Sequence, residues 1–255
     1  TGLYSYRLNA LNAFELGRDL SQRNGFLPQV PTGAELFKEA GYFTAHSGKW
    51  HLGGMREEYR KARLAGDCSR PGPNQHGFDE YVSMLDGPQS PRYTFLNRDS
   101  ILHSQGHNYL IRNDKVLPNN KTTAVLSDVE AGEAIRMMRE HAAKETTQPW
   151  FMQVWFNAPH GPWEILPTGQ HHYEVTMQKD QKYFENIYCD RAKEPLLKFR
   201  TWKYKTMITA MDRSIGMLLR ALKELHIENN TLVVFTSDNG WERGAGTAGV
   251  FLEGK

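Results

Sequence analysis

Apolar residues recur along the chain at helical spacing in two segments. Between 202 and 225 they step by three and four residues, which places one continuous apolar stripe on an α-helix. Residues 122–143 show the same spacing. A T-x-x-E capping box begins at Thr32 and predicts a shorter helix that ends at Gly41.

Short runs of β-forming residues separate these helices. They predict strands at 43–47, 150–156 and 231–237. The first is predicted to end at Gly48, and the second to be buried. Strands that alternate with helices predict an α/β fold, with a largely parallel sheet flanked by helices. No linker demands a second domain, so residues 1–255 are predicted to form a single domain. We expect this domain to be truncated at both ends, because the chain lacks an initiator methionine and stops within a glycine-dotted loop.

Composition argues against some classes of partner. Charged residues make up 24% of the chain, hydrophobic residues 39%, and the formal net charge is only +2. Without a basic block there is no case for nucleic acid or an anionic membrane surface. No apolar run is long enough to cross a bilayer. Cys68 and Cys189 could pair in an oxidising compartment or stay reduced, and the sequence leaves both options open.

Three polar clusters begin where predicted strands end. They are SGKWHLGG at 47–54, NAPHGP at 157–162 and TSDNGWERG at 236–244. In open α/β sheets, ligands bind beyond the carboxyl ends of the strands. The three clusters are therefore predicted to contribute to one site.

The first cluster contains a cation and a proton carrier. Lys49 offers a positive charge and three donors to a tetrahedral oxyanion, and His51 can exchange a proton near neutral pH. Their side chains point the same way if the backbone stays extended past Gly48. For an isolated K-x-H motif, a surface lysine beside a partly buried histidine is the favoured alternative. Trp50 is predicted to pack rather than to react.

The other clusters suggest a metal and a second histidine. Asp238 and Asn239 carry the hard oxygen donors that Ca²⁺ or Mg²⁺ prefers, although a D-N-G turn explains the pair better when it is judged alone. His160 lies between Pro159 and Pro162, which restrict the backbone. It is therefore either held rigidly for a role in the site or an ordinary loop histidine. Lys255 alone would be interpreted as a terminal surface lysine.

Taken together, these segments resemble the type I sulfatase family of the alkaline-phosphatase-like superfamily. GYFTAHSGKWHLG (41–53) is similar to the second signature of that family, and NNTLVVFTSDNG (229–240) to its late metal-binding strand. FNAPHGPW (156–163) resembles its A-P-H-x-P loop, and HGFDEY (76–81) is also similar. Four motifs in the order of the family are far more specific than any one of them.

The resemblance implies an alkaline-phosphatase-like fold and the hydrolysis of aryl or carbohydrate sulfate esters. Its nucleophile would be a formylglycine, the oxidised cysteine of a C-x-P-S-R motif expected upstream of Thr1, so that the chain as given would be inactive. Asp238 and Asn239 would coordinate Ca²⁺, which would withdraw charge from the sulfate oxygens. The partner would be a sulfated small molecule or glycan, and the location secreted, periplasmic or lysosomal. No oligomeric state is predicted.

The resemblance also implies roles for the remaining residues. Lys49 would hold the formylglycine and a sulfate oxygen. His51 would bond the formylglycine hydroxyl and assist the release of sulfate. His160 and Lys255 would contact sulfate and the bridging oxygen, and one of them would protonate the leaving alcohol.

Two alternatives are kept. One is a phosphatase, phosphodiesterase or phosphonate hydrolase of the same superfamily, whose members usually carry a Ser or Thr nucleophile and extra metal ligands; the GKWHLG signature favours sulfate. The other is a catalytically silent member that binds sulfated glycans, and the intact catalytic positions of this chain count against it.

Overall fold

The computed structural model describes residues 31–50, 52, 57–66, 71–84, 110–117, 126–144, 146–160 and 193–241. His51, Lys255 and both cysteines lie outside these residues. The helices of the described part are α1 (Gly33–Glu39), α2 (Glu57–Leu64), α3 (Leu126–Ala142) and α4 (Lys193–Glu224). Its strands are β1 (Phe43–Lys49), β2 (Glu80–Met84), β3 (Leu110–Arg112), β4 (Lys115–Val116) and β5 (Trp150–Trp155). Short 3₁₀ turns occupy Pro73–His76 and Glu228–Asn230.

The described strands form one mixed sheet in the order β4-β3-β2-β1-β5. Strand β1 is parallel to both β2 and β5, and the β3–β4 hairpin extends the sheet in the antiparallel sense beyond β2. The predicted α/β class, with helices flanking the sheet, is confirmed. Its parallel part comprises β2, β1 and β5.

Strand β1 is the centre of the fold and is covered on both faces. Thr44, Ala45, His46 and Ser47 are each 0% exposed. On one face, α1 contributes to a cluster that includes Trp50, Phe78, Tyr81 and Ile111. On the other face, α3 packs against α4 through Ile135, Met138, Ala221 and Leu222, and Trp150 and Met152 of β5 join this cluster. The end of β1 is therefore fixed by packing from both sides.

The predicted helices are confirmed with shifted ends. In the capping box of α1, Thr32 Oγ1 accepts from the Glu35 backbone N–H at 3.2 Å, and Glu35 Oε2 accepts from the Thr32 N–H at 2.6 Å. Gly41 follows the helix in a left-handed conformation, with φ at +87°. Helix α4 begins at Lys193, well before the predicted residue 202. Local capping chemistry was sufficient to locate α1.

The prediction that Gly48 ends the first strand is wrong. Strand β1 continues to Lys49, and Gly48 lies inside the ladder, opposite Ser83 on β2 and Trp155 on β5. Its φ is +107°, and a Cβ at this position would overlap the carbonyl oxygen of Trp155 and lie 2.8 Å from its carbonyl carbon. Glycine is required here because the backbones approach closely, not because the chain turns.

Two further strand predictions need correction. Strand β5 lies where predicted, but its residues are half-buried, and Trp155 exposed, rather than buried, since it forms an edge of the described sheet. Residues 231–237 form no strand, and within the described residues their β-forming side chains are exposed, Leu232 by 90% and Phe235 by 76%. β-Branched and aromatic residues become a strand only where a neighbouring edge receives their backbone groups.

We predict that Gly48→Ala lowers the free energy of unfolding by at least about 3 kcal/mol, because a Cβ meets backbone atoms at a positive φ. Gly132→Ala is the matched control, since a Cβ there meets nothing within 4 Å. In the interior of α3 it should raise the free energy of unfolding by about 0.5–1 kcal/mol. Denaturant unfolding of the full-length protein measures both, and equal stabilities of the two variants would contradict the close-approach argument.

Candidate active site

The described residues at the start of the first two polar clusters lie at one edge of the sheet. Strands β1 and β5 are parallel and in register from Phe43 opposite Trp150 to Gly48 opposite Trp155. Lys49 is the last residue of β1, and the 157–160 turn follows β5. Adjacent parallel strands direct their carboxyl ends to the same edge. The segments that carry Lys49 and His160 are therefore neighbours, as the strand-end argument required.

The turn after β5 sets the position of His160. The backbone N–H of His160 donates to the carbonyl of Asn157 at 3.1 Å, and the Ala158–Pro159 peptide is cis. Asn157 is only 8% exposed, whereas His160 is half-buried. The histidine is thus presented at the sheet edge by a turn whose first residue is anchored in the interior.

An aromatic cluster supports the end of β1. The ring of His46 meets Trp50 at 5.6 Å and Trp155 at 4.9 Å, both edge-on, and the two tryptophans are stacked at 6.3 Å between centroids. Trp50 is 4% exposed, so its predicted packing role is confirmed. Burial lowers the pKa of His46 to about 3, against a smaller opposing effect of the backbone groups of Gly48 and Lys49. His46 is therefore neutral and structural at physiological pH.

A buried acid that the sequence analysis missed lies behind the same edge. Glu130 of α3 is 1% exposed. Its Oε1 accepts from the backbone N–H of Asn157 at 3.3 Å and from Asn157 Nδ2 at 2.6 Å. Burial raises the pKa of Glu130 to about 8, and the bonds from Asn157 oppose that rise. The available signal was its spacing, since Leu126 and Ala134, four residues to either side, are both buried.

Asp238 and Asn239 lie in an exposed turn that follows residues 231–237. Ser237 Oγ donates to the Asn239 carbonyl at 2.6 Å, and Asn239 Nδ2 donates to the Gly240 carbonyl at 2.8 Å, which leaves the amide oxygen out of these bonds. A carboxylate and an amide oxygen suit Ca²⁺, which takes six to eight oxygen ligands. Within the described residues no group of three or more His, Cys, Asp or Glu could hold a metal. The pair fits calcium as part of a larger ligand set.

Lys49 and His160 lie on segments that end at one edge of the sheet. Asp238 and Asn239 are not brought to this edge by strand pairing, because residues 231–237 join no ladder with the described strands. Among the described helices, none is both long and apolar enough to cross a membrane.

Comparison with known proteins gives consistent matches. The sulfatase family model matches residues 1–254. N-acetylgalactosamine-6-sulfatase of Canis lupus familiaris is 28% identical over 265 residues, covering 100% of this chain and 41% of the relative. The endo-4-O-sulfatase of Bacteroides thetaiotaomicron is 25% identical and covers 81% and 39%, respectively. The chain thus spans about two fifths of the length of these relatives.

Solved structures are also similar to this chain. The crystal structure of Ps i-CgsB has a TM-score of 0.61 and 28% identity, and the match covers 88% of this chain and 44% of that one. A second structure of Ps i-CgsB, in complex with k-i-k-neocarrahexaose, also has a TM-score of 0.61, at 27% identity. The sheet flanked by helices is therefore that of the alkaline-phosphatase-like fold. Since the family model covers nearly the whole chain, the chain belongs to the sulfatase family.

Proposed function

We propose that the full-length protein hydrolyses sulfate esters, and that the edge formed by the ends of β1 and β5 is part of its active site. The observation that carries the proposal is the parallel register that makes Lys49 and the His160 turn neighbours in a chain of the sulfatase family. The names of its relatives support sulfate rather than phosphate as the group transferred.

The chemistry of sulfate esters explains this choice of residues. A sulfate monoester is a weakly basic anion, so its leaving alcohol needs a proton or a stabilising charge as the bond to sulfur breaks. Lys49 supplies a fixed positive charge towards the sulfate oxygens, and such preorganised charge is usually the largest catalytic contribution. His160 is proposed to protonate the leaving oxygen. From their motifs, His51 and Lys255 are assigned to the nucleophile-facing wall and to the bridging oxygen.

Asp238 and Asn239 are proposed to hold Ca²⁺, because their hard oxygens match its preference. When bound, Ca²⁺ would withdraw charge from the sulfate oxygens as a Lewis acid. A formylglycine would supply the attacking oxygen when present, and no residue of this chain is assigned that role.

The substrate is proposed to be a carbohydrate sulfate ester, with aryl sulfates as assay surrogates. Two relatives are named N-acetylgalactosamine-6-sulfatase and endo-4-O-sulfatase, and one similar structure is a complex with k-i-k-neocarrahexaose. By analogy with the family, we place the protein outside the cytoplasm and treat residues 1–255 as part of one catalytic domain.

Single substitutions at the proposed site should abolish most of the activity. We expect Lys49→Ala and His160→Asn each to lower kcat/KM for sulfate release from a chromogenic aryl sulfate by about 100-fold or more. Matched controls are Lys223→Ala, in the last turn of α4, and His226→Asn, in the turn that follows it. Both residues are exposed, so these changes should leave kcat/KM within about threefold. His226 has a φ of +58°, a conformation that asparagine tolerates.

A matched aryl phosphate and a sulfated oligosaccharide complete this experiment. Turnover of the phosphate in preference to the sulfate would replace the proposal with a phosphatase. Binding of the oligosaccharide without turnover of any ester, in protein shown by mass spectrometry to carry formylglycine, would replace it with a silent binder.

Calcium dependence is predicted separately. Chelation should lower sulfate release by about 100-fold, and added Ca²⁺ should restore it. Asp238→Ala should abolish the rise in melting temperature that Ca²⁺ produces in the parent protein, since an ion that binds only the folded state stabilises it. Asp212→Ala, an exposed aspartate of α4, is the control and should keep the rise. An unchanged calcium response in Asp238→Ala would exclude this residue as a ligand.

A further inference from the structure

Glu130 is a buried acid to which the proposed chemistry assigns no role. It is 1% exposed and lies on the face of α3 that packs on the sheet. Both hydrogen bonds that Asn157 donates to it converge on one oxygen, Oε1, while Oε2 has no hydrogen-bond partner among the described residues. The Glu130 carboxyl is therefore a hydrogen-bond acceptor for one specific neighbour, Asn157, rather than part of a surface ion pair.

The same residue also contacts the other half of the proposed site. Ser47 Oγ of β1 donates to the backbone carbonyl of Glu130 at 2.7 Å. Ser47 precedes Lys49 by two residues. Asn157 begins the turn that carries His160, and its carbonyl accepts from the His160 N–H. One residue of α3 is therefore bonded to both segments that carry proposed catalytic groups.

We propose that Glu130 is a positioning residue, which fixes the Asn157–His160 turn relative to the end of β1 that carries Lys49. The anchoring itself follows from the hydrogen bonds, whereas its effect on turnover rests on the proposed function. A displacement of about 1 Å between reacting groups can cost about 100-fold in rate, so an anchor with no contact to substrate can control kcat.

The chemistry of the anchor explains why an acid occupies this position. An apolar side chain would remove the acceptor of both hydrogen bonds that Asn157 donates to Glu130, which is unfavourable in a buried position. Because burial raises the pKa of Glu130 to about 8, its carboxyl is protonated at neutral pH and accepts through its carbonyl oxygen. Glutamine offers the same accepting oxygen at the same length. Glu130→Gln should therefore preserve the anchor, and Glu130→Ala should remove it.

The first test compares turnover at a temperature where every variant is folded. We expect Glu130→Ala to lower kcat for the aryl sulfate by about 10- to 100-fold with KM within about threefold, and Glu130→Gln to recover kcat to within about threefold. Glu140→Gln, at an exposed carboxylate of the same helix, is the control. Asn157→Ala combined with Glu130→Ala should be no worse than the more severe single variant, because the two residues act as one unit.

The second test does not need activity. Hydrogen exchange followed by mass spectrometry should show the backbone amides of Asn157, Ala158 and His160 exchanging at least about tenfold faster in Glu130→Ala than in the parent, with Glu130→Gln close to the parent. If the full-length protein hydrolyses no ester, the proposed function fails while this result still decides the anchor. Unchanged exchange in the alanine variant, or failure of glutamine to restore kcat, would overturn the positioning role.

The third test uses the direction of the pKa shift. Glu130 keeps its proton in the folded state up to about pH 8, whereas the unfolded chain releases it near 4.5. The parent should therefore lose stability as pH rises between these values, with the unfolding equilibrium constant rising up to about tenfold per pH unit. His46 contributes the opposite slope below 6.5 in both proteins, so the difference between parent and Glu130→Gln isolates Glu130. If stability depended on pH equally in the parent and in Glu130→Gln, Glu130 would not be protonated in the folded state, and its proposed bonding to Asn157 as a neutral acid would be wrong.

Discussion

The close approach of β1 and β5 at Gly48 determines where the proposed site lies. Glycine lets the two backbones pair in parallel register through Trp155, and both strands then end at the same level. Lys49 and the turn that carries His160 are neighbours as a direct result. A side chain at position 48 would meet backbone atoms of Trp155, so it would separate the very segments whose proximity the chemistry requires.

Buried polar side chains of β1 hold this strand in position. Thr44 Oγ1 donates to the Gly77 carbonyl at 2.5 Å on one side of β1, and Ser47 Oγ donates to the Glu130 carbonyl on the other. Each bond contributes only about 1 kcal/mol net, but an unpaired buried hydroxyl would cost more. The bonds therefore favour one placement of β1 over displaced alternatives, which a purely apolar strand would discriminate less well.

The sequence was informative where the determining chemistry is local. The capping box of Thr32 and Glu35 spans one helical turn, and the stripe of α4 repeats every three to four residues, so both are visible without the fold. The bond of Ser47 to Glu130 joins residues 83 apart, and no local pattern announces it. The prediction at Gly48 is wrong because glycine occurs both in turns and where two backbones approach closely, and the sequence does not distinguish the two. Residues 231–237 have β-forming side chains, but a strand also needs an edge to pair with, which composition does not reveal.

Burial shifts the pKa values of His46 and Glu130, two groups near the site, in opposite directions, and both shifts favour the uncharged form. Burial lowers the pKa of His46 to about 3 and raises that of Glu130 to about 8, so both are neutral at pH 7. Neither adds a charge that would compete with Lys49 for an anion or screen it. Lys49 is half-buried, and a charge at the edge of a protein interior acts on a nearby anion through a lower effective dielectric than it would in water. The burial that stabilises β1 therefore also strengthens the field that the sulfate ester is proposed to meet.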